Sequence, residues 1–82
     1  MKEAVQVTVH TKEFCQPCKA TVRKLDQLGV EYVSVAADPD VLAAKGFTSA
    51  PVVEVDLGDR ASWSWSGHRP SQLERLAALL PS

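Results

Sequence analysis

The chain's only two cysteines form the sequence Cys15-Gln16-Pro17-Cys18. Two thiols at this spacing, placed where a strand gives way to a helix, read as a redox dithiol. The thiolate is the reactive species. A thiol with a pKa near 8.5 is only about 3% ionised at neutral pH, whereas one lowered to roughly 7 is about half ionised, a shift that needs roughly 2 kcal/mol. A helix N-terminus supplies about 0.3–1 kcal/mol of this on an exposed helix, so direct N–H or S–H donation from Cys18 is expected as well. Cys15 is the candidate nucleophile. It attacks a target disulfide, and Cys18, expected to be buried one turn further in, resolves the mixed disulfide and leaves Cys15–Cys18 oxidised.

The flanking elements must hold that pair in place. Val5, Val7 and Val9 alternate with polar residues, the period of a half-buried strand running into Thr11. Downstream, Cys18, Val22 and Leu25 recur at helical spacing, with Lys19, Arg23, Lys24 and Asp26 on the other side. Cys15 thus sits at a helix N-terminus, where Pro17 costs nothing because first-turn N–H groups have no intrahelical partner. Gly29 ends this helix, and Glu31 to Val35 reads as a second strand, parallel to the first through a right-handed crossover. Asp38-Pro39 opens a short helix through Ala44, stopped by Gly46, and Val52, Val53 and Val55 form a third strand. After a turn at Asp56-Leu57-Gly58-Asp59, the alternation of Ala61, Trp63 and Trp65 with serines predicts a fourth strand in an antiparallel hairpin. Ser71-Gln72-Leu73-Glu74 reads as a capping box for a last helix, with Leu73, Leu76, Ala77 and Leu80 on its apolar face and Pro81 at its end. The reading is α/β, in the order βαβαββα: a four-stranded mixed sheet flanked by three helices.

Eighty-two residues suit one domain spanning 1–82, with a single core. A net charge of −1 with mixed signs argues against a nucleic-acid or anionic-membrane surface. Hydrophobic runs fall short of a membrane span, and Met1-Lys2-Glu3 leads directly into strand sequence without a signal peptide. A cytoplasmic monomer is expected. In a reducing compartment, adjacent cysteines are catalytic more often than structural.

Three stretches resemble the glutaredoxin family, and specifically its NrdH-redoxins, the small hydrogen donors of class Ib ribonucleotide reductases. The first is Val9-His10-Thr11-Lys12 leading into the dithiol, where NrdH proteins usually carry Cys-Val-Gln-Cys or Cys-Met-Gln-Cys; Gln16 and Pro17 fill the motif here. The second is Ser49-Ala50-Pro51-Val52-Val53, matching the family segment whose proline is cis and faces the dithiol. The third is Trp65-Ser66-Gly67-His68-Arg69-Pro70, close to Trp-Ser-Gly-Phe-Arg-Pro, with His68 in place of Phe. The resemblance implies the thioredoxin-like fold in its small glutaredoxin form. It implies substrate contacts by Lys12, Ala50, Pro51, Trp65, Gly67 and Arg69, with Ala50 offering its backbone to an extended partner segment and Arg69 fixing the Trp65–Pro70 loop. It also implies no bound cofactor, electrons from NADPH through thioredoxin reductase, and a partner disulfide on the ribonucleotide reductase large subunit.

Other readings of these residues are a glutathione-dependent glutaredoxin and, from another class, a small zinc-binding module using both cysteines with His10 and His68. The first is disfavoured because Gly67 to Ser71 lacks the Gly-Gly turn and acidic residues that grip glutathione; the second because His68 is remote in sequence. Lys12 either stabilises the thiolate or is simply solvated. His10 and Asp26 are candidate proton carriers with ordinary surface explanations. Trp63 is expected in the core under the last helix and Trp65 beside the active-site loop.

Overall fold

In the computed structural model, which describes residues 5–57 and 62–79, the elements run β1 (Gln6–Thr11), α1 (Gln16–Leu28), β2 (Val33–Ala36), α2 (Pro39–Ala44), β3 (Val52–Asp56), β4 (Ser62–Ser66) and α3 (Pro70–Leu79). This is the expected βαβαββα order. The strands form one sheet in the order β2-β1-β3-β4, with β1 parallel to β2 and antiparallel to β3, and β3 antiparallel to β4. Gly58, Asp59 and Ala61, like Leu80 and Pro81, lie outside the described residues, so the predicted hairpin turn and the last helical turn are not described.

Alternation along β1 and β3 decides which face carries the core. Val7 and Val9 pair in register with Val55 and Val53, and all four point to the side covered by α1 and α3. There they close with Leu25, Val30, Trp65, Leu73 and Leu76 into one buried cluster. Each such apolar side chain contributes about 1.5–3 kcal/mol on burial, and a one-residue slip of β1 would exchange Val7 and Val9 for Gln6 and Thr8. The register is therefore strongly specified. The opposite face carries Val52 and Glu54, and α2 approaches it through Lys45, whose Nζ donates to Glu54 Oε2 at 2.9 Å.

Helix boundaries follow local chemistry. Gly29 takes φ 72° and donates to the Asp26 carbonyl, while Val30 N–H reaches back to Leu25 O at 3.0 Å. These are the two bonds of a Schellman motif, and they satisfy carbonyls that α1 leaves open. They also delay β2. The strand begins at Val33 rather than Glu31, because Val30 is tied into the helix cap and Tyr32 packs against the core. Asp38 caps α2, its Oδ1 accepting from Asp40 N–H at 2.9 Å.

The capping-box reading of Ser71 is corrected. Pro70 is the first residue of α3, and the Arg69 carbonyl accepts from Gln72 N–H at 3.0 Å and Leu73 N–H at 3.1 Å. Proline's fixed φ is already helical and its missing N–H is not required there, so the helix starts before Ser71. A second difference lies in α1. Thr21 is fully buried there, as is Leu25, with Val22 only partly buried, so the buried face runs Cys18, Thr21, Leu25.

Candidate active site

Cys15 has extended dihedrals, φ −114° and ψ 104°, and forms the N-cap of α1. Its Sγ accepts from Cys18 N–H at 3.2 Å, so sulfur occupies the place of the Ser or Asp oxygen at an ordinary helix start. The Cys18 N–H is the donor expected at this place. Cys15 and Cys18 are joined as a disulfide with Cα atoms 5.2 Å apart. On reduction, negative charge on Cys15 would face the same N–H and the positive end of the α1 dipole. Pro17 lies in the first turn, and it and Gln16 are exposed.

Both cysteines are buried. Cys15 is 5% exposed and Cys18 3%. In the oxidised pair, Cys15 Sγ turns toward the Cys18 amide and lies 4.0 Å from the Ala50 carbonyl oxygen. Phe14, immediately before it, is 93% exposed and holds φ 57°, a left-handed conformation that bulky residues rarely adopt. No sequence pattern singled it out.

Two further stretches frame the dithiol. The Ala50–Pro51 bond is cis and Pro51 is buried. The Pro51 carbonyl accepts from Gly67 N–H at 2.8 Å, tying the Ser66–Arg69 loop to this turn. Gly67 has φ 88°, and a Cβ there would meet nothing within 4 Å, so backbone conformation alone calls for glycine. Arg69 Nε donates to Ser66 O at 3.1 Å, bracing the same loop. His68 reaches the helix: its Nδ1 lies 3.0 Å from Thr21 Oγ1, one turn beyond Cys18.

The tryptophans divide differently from expectation. Trp65 is 5% exposed and belongs to the core, while Trp63 is only partly buried against it. Register explains this, since Trp65 lies opposite Val53 at the sheet centre and Trp63 opposite Val55 toward the hairpin turn. Their ring centroids are 4.9 Å apart and tilted by 52°. Trp65 Nε1 is buried without a partner among the described residues.

The candidate proton carriers are engaged elsewhere. His10 Nε2 lies 2.7 Å from Glu54 Oε1, on the α2 side of the sheet. With Lys45 this makes a three-residue network that the sequence did not reveal, because its members meet only through the pairing of β1 with β3. The Lys45 hydrogen bond first, and the His10 bond second, hold the Glu54 carboxyl below the usual glutamate range against an opposing desolvation effect. Asp26 is exposed near the far end of α1 and accepts from Tyr32 O–H at 3.1 Å. Burial, with the Asp26 hydrogen bond and charge behind it, pushes the Tyr32 phenol up. Among the described residues no three His, Cys, Asp or Glu side chains gather as metal ligands.

Lys12 is exposed and stands where two grooves meet. One, of about 290 Å³, is mostly apolar and is lined by Pro39, Leu42, Phe47 and Ala50. The other, of about 390 Å³, runs beside α1 from Cys18. No described helix is long and apolar enough to cross a membrane.

Comparison with known proteins agrees with this geometry. Residues 7–58 match the glutaredoxin family. The glutaredoxin-like protein NrdH of Salmonella typhimurium is 38% identical over 77 residues, covering 88% of this chain and 89% of the relative. Its counterpart from Escherichia coli K12 is 34% identical over the same shares. The solved structure of an E. coli glutaredoxin-like NrdH-redoxin, described as having a thioredoxin-like activity profile, superposes with a TM-score of 0.74 at 33% identity, covering 94% of this chain and 97% of that one. Chloroplastic thioredoxin z shares the fold alone, with a TM-score of 0.71 at 16% identity over 94% of this chain and 78% of that one. The chain, with its Cys15–Cys18 pair on a thioredoxin-like fold, belongs to the glutaredoxin family, groups with the NrdH-redoxins, and is a thiol-disulfide oxidoreductase.

Proposed function

We propose that this redoxin carries electrons from thioredoxin reductase, and so from NADPH, to a disulfide on the large subunit of a class Ib ribonucleotide reductase in the cytoplasm. The observation that carries the reading is Cys15 as N-cap of α1, its sulfur accepting from Cys18 N–H and lying against the backbone of Ala50–Pro51. The NrdH names of the relatives support the choice of partner.

The Cys15 thiolate attacks one sulfur of the partner disulfide, forming a mixed disulfide and releasing one partner thiolate, which takes a proton. Cys18 then gives up its proton and attacks Cys15 Sγ, releasing the second partner thiolate and closing Cys15–Cys18. Two electrons pass to the partner, and the redoxin is left oxidised, the state in which the cysteines are joined here. Thioredoxin reductase reverses the change. Ala50 and Pro51 position the partner's extended segment at Cys15, the Gly67 bond to Pro51 and the Arg69 brace hold the neighbouring loop, and Trp65 supports that loop from the core. Lys12 flanks the approach.

NADPH consumption with the oxidised protein as substrate tests the reading, with thioredoxin reductase in one arm and glutathione plus glutathione reductase in the other. Turnover with thioredoxin reductase alone is expected. Turnover only with glutathione would overturn the proposed electron route and make the protein a glutaredoxin in function.

A further inference from the structure

Nine lysines and arginines are spread along a chain of net charge −1. Three of them, Lys12, Lys19 and Arg23, line the single groove beside α1 together with Cys18, Val22 and Asp26. Lys19 and Arg23 are one helical turn apart on an exposed stripe, and Lys12, also exposed, lies three residues before Cys15. None of these three cations forms an ion pair with a described residue. Two of the other cations are paired: Lys24 meets Glu74 at 3.2 Å between α1 and α3, and Lys45 meets Glu54 at 2.9 Å. The groove's one carboxylate, Asp26, marks the end away from the dithiol and already accepts from Tyr32. Like charges crowded along one helix face repel, so this stripe costs the free protein stability that a partner's opposite charge would restore.

We infer that this groove docks an acidic segment of the protein whose disulfide the redoxin exchanges with, the carboxylates lying against Lys12, Lys19 and Arg23 while the adjoining cysteine reaches Cys15. The inference rests on the redoxin reading above and adds the chemical class of partner segment. Eight residue steps separate Cys15 from Arg23, about 12 Å at 1.5 Å per residue, which an extended segment of about four residues spans. The preferred sequence therefore carries its acidic residues within a few positions of the reactive cysteine. Asp26 disfavours carboxylates placed further along. Charge complementarity of this kind acts mainly on the rate of productive encounter and weakens with salt.

The test uses the reduced protein and synthetic disulfide peptides of one core sequence, flanked on one side by Glu, Ser or Lys, with glutathione disulfide as a separate substrate. At low ionic strength the Glu-flanked peptide is expected to be reduced about tenfold faster than the Lys-flanked one, and the ratio is expected to collapse toward one in molar salt. Lys19→Gln with Arg23→Gln is expected to remove most of that ratio, and Arg23→Glu to shift preference toward the Lys-flanked peptide. The inference falls if the peptides react alike, if the double variant keeps the full ratio, or if it slows every peptide equally. It also falls if glutathione disulfide shows the same loss as the acidic peptide, since the groove would then serve the tripeptide. Turnover by thioredoxin reductase, measured in parallel, separates these failures from failure of the redoxin reading itself.

Discussion

His68 Nδ1 and Thr21 Oγ1 lie 3.0 Å apart, joining the loop before α3 to the helix that carries both cysteines. Thr21 is 0% exposed, so its hydroxyl depends on protein partners. Through Gly67 the same loop is bonded to Pro51, so the helix, the Pro51 turn and the loop form one connected frame around the dithiol. Thr21→Val is expected to destabilise by about 1 kcal/mol and His68→Ala by about 1–3 kcal/mol, the larger figure reflecting a buried hydroxyl left unpaired. A double-mutant cycle by chemical denaturation should give a coupling above about 0.5 kcal/mol. Additive effects would mean that the contact holds nothing together.

Phe14 offers a stability prediction of opposite sign. Its φ of 57° costs an ordinary residue about 1–2 kcal/mol, and at 93% exposure the ring gains nothing from burial. Phe14→Gly is expected to raise stability by about 0.5–1 kcal/mol, read as a higher denaturant midpoint with unchanged slope. Loss of reduction rate with protein disulfides, against an unaffected midpoint, would instead show that the ring is kept for its contact with partners.

Glu54 links the fold to pH. Lys45 and His10 hold its carboxyl below the ordinary value of about 4.3, so the folded protein binds that proton less readily than the unfolded chain. The stabilisation is complete above the unfolded value and is lost as pH falls through the lower folded one. Glu54→Gln should therefore lower stability near pH 7 by less than about 1 kcal/mol, as expected for a network near the surface, and have progressively less effect in acid. Thermal melts at pH 7 and pH 3 measure the difference.

Exchange of the two cysteines for serine should separate their roles. Cys15→Ser is expected to abolish disulfide reduction, whereas Cys18→Ser should stop after the first attack and accumulate a covalent mixed disulfide, visible by mass spectrometry. Insulin reduction at full rate by Cys15→Ser would reassign the nucleophile.

Much of this architecture was legible because it is local. Valine alternation in β1 and β3, the Gly29 stop and the Asp38-Pro39 start each act within a few residues, and each element appeared close to its predicted place. The start of α3 is ambiguous in the sequence, because Pro70 and Ser71 are both plausible openers and the sequence does not reveal which carbonyl accepts the first helical bonds. The dithiol itself was readable from spacing, and its helix-cap role from the strand and helix on either side. What tertiary packing brings together was not readable. Thr21 with His68, His10 with Glu54 and Lys45, and the burial of Trp65 rather than Trp63 all join residues distant in sequence. The amino-acid order alone determined the redox chemistry and the order of elements, since short-range spacing encodes both. Tertiary structure decided which face of each element meets which neighbour, because that depends on sheet register and helix docking, and with it the cations beside Cys18 that no described residue pairs.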